Sequence, residues 1–212
     1  MPDSPLARII VGLPAFLLAI VLHELAHGYV AYRLGDDTAK RAGRLTLSPI
    51  AHLDPIGTIF FLFSSIYGGV GFGWAKPVPV VVERLRNPRR DDILVTLAGP
   101  AANLMQAIVW AVLLRLALGS GLGSLSYAIV IVCIYGVVIN VILMLFNLLP
   151  IPPLDGSHVA LRILGFEDPH LAGRLAPLGF VLLFLFVSTP LFDIFYRSLV
   201  QPIAALFLPP GL

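Results

Sequence analysis

Four long apolar stretches constrain this chain more than any other feature of its sequence. Each is near or above the roughly 20 residues that an α-helix needs to cross the hydrocarbon core of a bilayer. Charged residues make up only 12% of the chain, whereas soluble domains average about a quarter. We therefore predict an integral, multi-pass membrane protein, mainly α, whose helix bundle is built from four stretches: Ile9 to Ala31, Ile93 to Leu118, Tyr127 to Leu149 and Leu175 to Leu208.

The segments between these stretches are too short for a separate soluble domain. We expect one transmembrane domain over residues 1–212, with a core at 9–156 and C-terminal helices at 157–212. The first stretch starts close to Met1 but lacks an A-x-A-like cleavage site, so we expect it to be retained as a helix. The last stretch is interrupted by prolines and is either two half-spans or one bent helix.

A fifth apolar segment, Ile56 to Val70, is too short and too rich in Gly and Ser for a simple span, and we interpret it as a re-entrant or interfacial piece. Two short strands are predicted nearby, at Arg44 to Leu47 and at Val78 to Val82, forming a small membrane-associated β-sheet. Pro77 and Pro79 restrict the second strand to a sheet edge. Such an edge could dock an extended peptide; a loop that caps the helices explains the pattern equally well.

Basic residues cluster in the loops on either side of the Ile56 to Val70 segment. Positive charge next to spans marks the cytoplasmic side of a membrane, so we expect both loops there and the N-terminus outside. The clusters lack interleaved aromatic residues, which argues against nucleic-acid binding. They contain nine of the fourteen basic residues: Arg33, Lys40, Arg41, Arg44, Lys76, Arg84, Arg86, Arg89 and Arg90.

The segment His23-Glu24-Leu25-Ala26-His27 is the strongest chemical signal. Residues four apart lie one turn above each other on a helix, so both imidazoles can reach one zinc while Glu24 points toward a metal-bound water. The fourteen residues from Ile9 to Leu22 carry no charge. Placing His, Glu and His directly after them is costly without a partner or a water-filled cavity, which favours a functional site over polar residues that merely pair with neighbouring helices.

A catalytic zinc site needs a third protein ligand and an open position for water. Cys133 is the single cysteine, so the chain can form no internal disulfide and no cysteine zinc site. The third ligand must therefore be a histidine or a carboxylate. Asp155 is favoured, because prolines end the preceding span and Gly156 allows a sharp turn that can aim a carboxylate inward. The candidates are Asp155, His52, Asp54, His158 and His170.

Other small and polar residues have two interpretations each. Asn147 could donate a hydrogen bond to substrate or to a developing oxyanion, or it could cap the carbonyls freed beside the prolines. Gly99-Pro100 with Asn103 is typical of close helix packing. The glycine-rich run at residues 68–73 could form a mobile flap or a simple flexible turn.

The sequence resembles the site-2 protease family of intramembrane zinc metalloproteases. The resemblance rests on two motifs at opposite ends of the core, HELAHG at His23 to Gly28 and NLLPIPPLDG at Asn147 to Gly156. Further similarity lies in HLDPIGT at His52 to Thr58, GWAKPVPV at Gly73 to Val80 and GPAAN at Gly99 to Asn103. It covers roughly Ile9 to Gly156, and the chain looks like the minimal form, without a PDZ insertion or a nucleotide-sensing module.

The resemblance implies that His23, His27 and Asp155 bind one zinc ion per chain. It also implies that Glu24 is the catalytic general base and that Asn147 binds substrate near the metal. The implied reaction is hydrolysis of peptide bonds within or near transmembrane segments, at an active site toward the cytoplasmic side of a bacterial or archaeal cell membrane. The implied substrates are membrane-anchored regulators or remnant signal peptides; the sequence does not select among them, nor does it indicate an oligomeric state.

Two other functions are compatible with a buried pair of histidines. A membrane oxidoreductase such as a desaturase or hydroxylase generally needs more histidines than the five present here, only two of which form an H-x-x-x-H pair. A zinc or proton transporter could use the same ligands as a transit site. A transporter should carry further ionisable residues along its later spans, where only Asp193 and Arg197 are clear candidates, and Glu24 between the histidines favours hydrolysis.

Overall fold

The computed structural model describes residues 5–59, 73–119 and 124–210, and the described part is mainly helical. The longer helices are α1 (Pro5–Arg33), α4 (Pro88–Gly119), α5 (Ser124–Asn147), α6 (Asp155–Ile163) and α7 (Leu171–Ser188). The shorter ones are α2 (Thr38–Arg41), α3 (Pro49–His52), α8 (Pro190–Phe195) and α9 (Gln201–Phe207).

Four helices are long and apolar enough to cross a membrane, which agrees with the predicted multi-pass protein. Their candidate spans are Ile10–Arg33, Pro88–Gly119, Tyr127–Asn147 and Leu171–Ser188. The first three of these spans confirm the first three apolar stretches predicted from the sequence.

Helices α1, α4 and α5 pack against one another and form the centre of the bundle. Small residues make the close approach possible. Gly136 of α5 lies under the indole ring of Trp110 from α4, and a Cβ at this position would stand 2.4 Å from the ring. Ala107 and Ala111 of α4 are buried in the same interface.

Helix α5 ends at Asn147 because three prolines follow within six residues and cannot continue a helix. The chain reverses and enters α6 at Asp155. The turn is tight around Gly156, where a Cβ would stand 2.2 Å from the carbonyl oxygen of Leu148. The reversal returns the start of α6 to the end of the bundle where α1 finishes and α4 begins.

The last apolar stretch is divided rather than continuous. Thr189 adopts extended backbone angles (φ −115°, ψ 167°) between α7 and α8, because a residue before proline disfavours the helical region. A π-helical turn, Tyr196–Val200, then joins α8 to α9. Of the two alternatives raised by the sequence, this region resembles two helical pieces and not one long bent helix.

The predicted β-sheet was wrong for the part of the chain that the structure describes, where an isolated bridge between Leu53 and Ala75 replaces it. Within the other predicted strand, residues 45 and 46 form a bend, and residues 44 and 47 have no regular structure. The predicted strand at Val78 to Val82 is extended over residues 78–81 without strand pairing, and Val82 begins a 3-10 turn. The N–H groups of Val78 and Val81 donate to side chains, and Pro77 and Pro79 have no N–H to contribute. The re-entrant interpretation falls largely on residues 60–72, outside the described residues; residues 55–59 just before them are helical.

Candidate metal centre

Two histidines of α1 face the centre of the bundle, six and ten residues before the helix ends at Arg33. His23 and His27 lie one turn apart and are both almost fully buried. Their rings are nearly perpendicular, at 84°, and their Nε2 atoms approach to 3.0 Å. Two imidazole lone pairs at this distance repel each other unless a proton or a cation lies between them.

Asp155, the first residue of α6, completes the cluster. Its Oδ2 atom lies 3.2 Å from Nε2 of His23 and 3.4 Å from Nε2 of His27. This oxygen is buried, and within the described part of the chain only the imidazoles lie within hydrogen-bonding reach of it. The three donor atoms form a triangle with edges close to the roughly 3.3 Å expected between ligands of a tetrahedral zinc ion with bonds of about 2.0–2.1 Å.

The other ring nitrogen of each histidine is used by the protein. Nδ1 of His27 donates to the carbonyl oxygen of Val95 at 2.7 Å, and Nδ1 of His23 donates to Oδ1 of Asn103 at 2.6 Å. Both acceptors lie on α4. With the protons on Nδ1, the Nε2 lone pairs point toward Asp155, which is the tautomer that metal binding requires.

Gly99 allows α4 to pass directly against the two rings. A Cβ on this residue would stand 2.3 Å from Nε2 of His27 and 2.6 Å from Cε1 of His23. The close packing predicted for Gly99 is therefore confirmed, because no side chain fits between α4 and the two imidazoles.

Glu24 lies beside the cluster with its carboxylate held in place. Its Oε2 accepts the backbone N–H of Val78 at 2.7 Å, and the described residues offer Oε1 no hydrogen bond. The extended segment that includes Val78 is itself fixed by side chains. Asp36 accepts the N–H of Val81 at 2.7 Å, and Arg44 donates to the carbonyl oxygens of residues 76 and 77.

These groups open into a cavity of about 680 Å³ between α1, α4, α5, α6 and α7. Asn147 lines it, and its amide nitrogen donates to the carbonyl oxygen of Leu143 at 3.0 Å. That bond is the capping role considered from the sequence, while the position on the cavity wall leaves the substrate-binding role available. The walls are largely apolar, with Ile20, Leu143 and Phe180 among the lining residues.

Of the five third-ligand candidates, Asp155 is the one that the structure brings to the histidines. His52 is fully buried elsewhere and its Nε2 bonds the carbonyl oxygen of Thr46 at 2.8 Å. Asp54 accepts the N–H of Gly57 and begins the next helical turn. His158 lines the cavity without joining the cluster, and His170 is exposed, 3.6 Å from Glu83.

The carboxyl of Asp155 is held in its charged form. Burial opposes ionisation, but the charge of His27 and hydrogen bonds from both imidazoles, when the rings also carry a proton on Nε2, outweigh it and keep the pKa of Asp155 well below its ordinary value. A cation in the place of that proton acts in the same direction. An anionic oxygen next to two imidazole lone pairs is a donor set suited to a divalent cation.

Sequence reasoning missed several polar residues that support this cluster. The sequence pattern predicts a packing role for Asn103, although Asn103 accepts a hydrogen bond from His23, and it predicts no role for Asn140 in α5, which bonds Asn103. The buried ion pair between Asp92 and Arg162, 2.6 Å long, was also missed. The available signal was the cost of placing a polar side chain in an apolar span, which applies to Asn140 as much as to His23.

Comparison with known proteins gives three informative relatives. The chain is 41% identical over 181 residues to a Bacillus subtilis protein named "putative zinc metalloprotease YwhC", covering 82% of this chain and 78% of the relative. It is 29% identical over 214 residues to a Mycolicibacterium smegmatis protein named "putative zinc metalloprotease Rip2", covering 94% and 74%. It is 29% identical over 158 residues to MJ0611 of Methanocaldococcus jannaschii, which bears the same description, covering 74% and 73%. No family model and no solved structure matches the chain.

Proposed function

Since this chain belongs to the site-2 protease family of zinc metalloproteases, we propose that it hydrolyses peptide bonds within or near the transmembrane segments of membrane-anchored proteins. His23, His27 and Asp155 would hold one zinc ion. Glu24 would be the general base.

One observation carries this proposal. Three donor atoms separated by 3.0, 3.2 and 3.4 Å converge at the second half of the apolar helix α1, with a carboxylate fixed beside them and a cavity in front. Three protein ligands with an open side are typical of catalytic zinc sites, whereas structural sites have four. Glu24 adds the base that hydrolysis needs.

When bound, zinc supplies a Lewis acid and lowers the pKa of a coordinated water to about 7. Glu24 accepts a proton from the attacking water and returns it to the leaving amine. The N–H of Val78 holds one oxygen of this carboxylate, so the other oxygen keeps a fixed direction. Asn147, on the cavity wall, would rotate its amide from Leu143 toward the substrate carbonyl.

The proposed site lies close to the cytoplasmic surface. His27 stands six residues before Arg33, which is about 9 Å along the helix axis at 1.5 Å per residue. The basic loops follow at the same end of the bundle, and positive charge favours the cytoplasmic side. Water can reach the cavity from there. A substrate helix must unwind to expose a carbonyl, so helix-breaking residues near its cleavage site should speed the reaction.

Purified wild type should contain one zinc per chain and cleave a model transmembrane substrate. Glu24→Gln should retain the zinc and lose cleavage, because it removes the base and leaves the ligands. Asp155→Ala should weaken zinc binding, since it removes the anionic ligand. Glu167→Gln is the matched control, as it makes the same chemical change outside the cavity and should leave both properties intact.

Full cleavage by Glu24→Gln would refute the protease mechanism. Zinc in the wild type with metal flux across vesicles and no cleavage of any membrane substrate would instead indicate a transporter.

The role of Asn147 is tested separately with Asn147→Ala. Loss of an oxyanion donor should lower kcat by about 10²-fold or more while zinc content stays unchanged. Unchanged kcat with reduced thermal stability would leave Asn147 as a cap of α5.

A further inference from the structure

Asn140 lies in the middle of α5 and is fully buried. An uncharged amide in an apolar span still loses hydrogen bonds with water, so it needs partners within the protein. Its partners lead to the candidate metal centre through a single intermediate residue, Asn103 of α4.

The chain of hydrogen bonds determines which way the side-chain amides of Asn140 and Asn103 are oriented. The carbonyl oxygen of Gly136 can only accept, so the group of Asn140 that faces it at 2.9 Å must be the nitrogen. The oxygen of Asn140 therefore faces Asn103 and accepts from Nδ2 at 2.9 Å. The carbonyl oxygen of Ala19, 3.3 Å away, is a second acceptor for the same nitrogen.

With its nitrogen committed to two acceptors, Asn103 presents its oxygen to His23. An amide oxygen cannot donate, so Nδ1 of His23 must carry the proton. Nε2 then has a free lone pair directed at Asp155, 3.2 Å away. A backbone carbonyl of α5 thus determines the tautomer of a side chain on α1 through two amides.

We propose that Asn140 is a positioning residue for the metal centre, which acts through Asn103 to hold His23 in its metal-binding tautomer and ring orientation. The inference rests on the proposed zinc site. Without Asn140 the amide of Asn103 can turn over, because its nitrogen keeps only the longer bond to Ala19. A turned amide would present N–H groups to Nδ1 and favour the tautomer whose proton sits on Nε2, where the metal binds.

The test measures zinc affinity by chelator competition and the visible spectrum of the cobalt(II)-substituted protein, which reports ligand geometry. Asn140→Leu removes both polar groups. Asn140→Ser is the milder change, since its hydroxyl can still donate to Gly136 one turn back but is too short to reach Asn103. Both should lower zinc affinity about 10-fold or more and alter the cobalt spectrum, as outer-shell partners of metal-binding histidines do.

Gln106→Leu is the matched control. Gln106 is a buried amide on the same helix as Asn103, and its nitrogen bonds the same carbonyl oxygen of Ala19 at 3.4 Å. Within the described residues no hydrogen bond joins its amide to His23 or Asp155. Loss of a polar contact between α4 and α1 should affect the thermal stability of this variant and leave its zinc affinity and cobalt spectrum at wild-type values.

A double-mutant cycle decides whether Asn140 acts through Asn103. Adding Asn140→Ser to Asn103→Leu should cause no further loss of zinc affinity, because the link is already broken. Wild-type zinc affinity in Asn140→Ser, or fully additive losses in the cycle, would overturn the proposal. Neither result would touch the proposed protease, which is judged by zinc in the wild type and by cleavage in Glu24→Gln.

Discussion

Helices α1, α4, α5 and α6 contain nearly all the buried polar side chains outside the loops, among them His23, Asn103, Asn140 and Arg162. Helices α7 to α9 contain none among the described residues and pack largely through aromatic rings. Exposure differs too. Only 17% of the most apolar part of α7 is buried, against 33–39% in the three central spans.

This contrast follows from the lipid that surrounds the helices. Lipid is as apolar as leucine, so burying leucine between helices gives little driving force in a membrane, and position is set by small residues and interhelical hydrogen bonds. The central helices use both devices around the candidate metal centre, with hydrogen bonds from His23 to Asn103 to Asn140 and a close approach at Gly99. The C-terminal helices use them less: Gly179 passes against the carbonyl oxygen of Pro152, and Arg115 donates to the carbonyl oxygen of Phe207. Away from these two contacts we expect the C-terminal helices to tolerate changes that the centre does not.

The largest effect is expected for Gly99→Ala. The new Cβ would overlap the imidazoles of His23 and His27, so α4 must move away and take the acceptors of both Nδ1 protons with it. Zinc affinity should fall at least 100-fold, measured by chelator competition. Gly173→Ala is the control in α7, where nothing lies within 4 Å of the new Cβ.

Gly173→Ala should keep wild-type zinc affinity and gain up to about 1 kcal/mol of helix stability, because alanine has the higher helix propensity. Equal zinc affinities in the two glycine variants would break the comparison between the central and C-terminal helices.

The sequence predicts correctly the features that depend on neighbouring residues. The spacing of His23 and His27 on a helix, and the prolines before Asp155, needed only helix geometry and the restrictions of proline. The three central spans followed from hydrophobic length. Each of these signals lies within a few residues of the feature that it predicts.

What sequence reasoning missed depends on contacts between distant segments. The valine-rich segment at Val78 has strand propensity, but its amide is taken by Glu24, 54 residues earlier. Asn103 and Asn140 are 37 residues apart, and nothing local indicates that they meet. The break in the helix at Thr189 does not follow from the sequence, because a proline in an apolar run is compatible with either a bend or a break.

A smaller effect, on stability, is expected from Arg162→Met. Arg162 pairs with Asp92 at 2.6 Å, and both side chains are 6% exposed. Removing the arginine leaves a buried charge and should cost about 3–5 kcal/mol in the free energy of unfolding. Zinc affinity should fall as well, because the pair ties α6, which starts at Asp155, to α4.

Arg174→Met is the matched change in the C-terminal region. Arg174 pairs with Asp168 at 2.9 Å, but the side chains are 70% and 37% exposed, so the loss should be about 0–1 kcal/mol. Detergent unfolding titrations of both variants measure the difference. Similar losses would mean that the two regions are held together in the same way.

Phe195→Leu should have a still smaller effect and should affect stability alone. Its ring contacts Phe186 and Phe146, with centroid distances of 5.6 and 6.5 Å. Losing these aromatic contacts should cost about 1 kcal/mol. Zinc stoichiometry and the cobalt spectrum should stay at wild-type values, and a changed spectrum would show that the aromatic cluster also shapes the metal centre.

The smallest effect is expected for His170→Gln, just before α7. The side chain of His170 is 72% exposed, and its partner Glu83 is 57% exposed, so the pair contributes about 0–1 kcal/mol at most. Zinc affinity should change by less than about 2-fold, because the triangle of donor atoms is complete without this imidazole. Both residues line the cavity, so a measurable loss of zinc would mean that the start of α7 closes over the metal centre and that the C-terminal region takes part in binding after all.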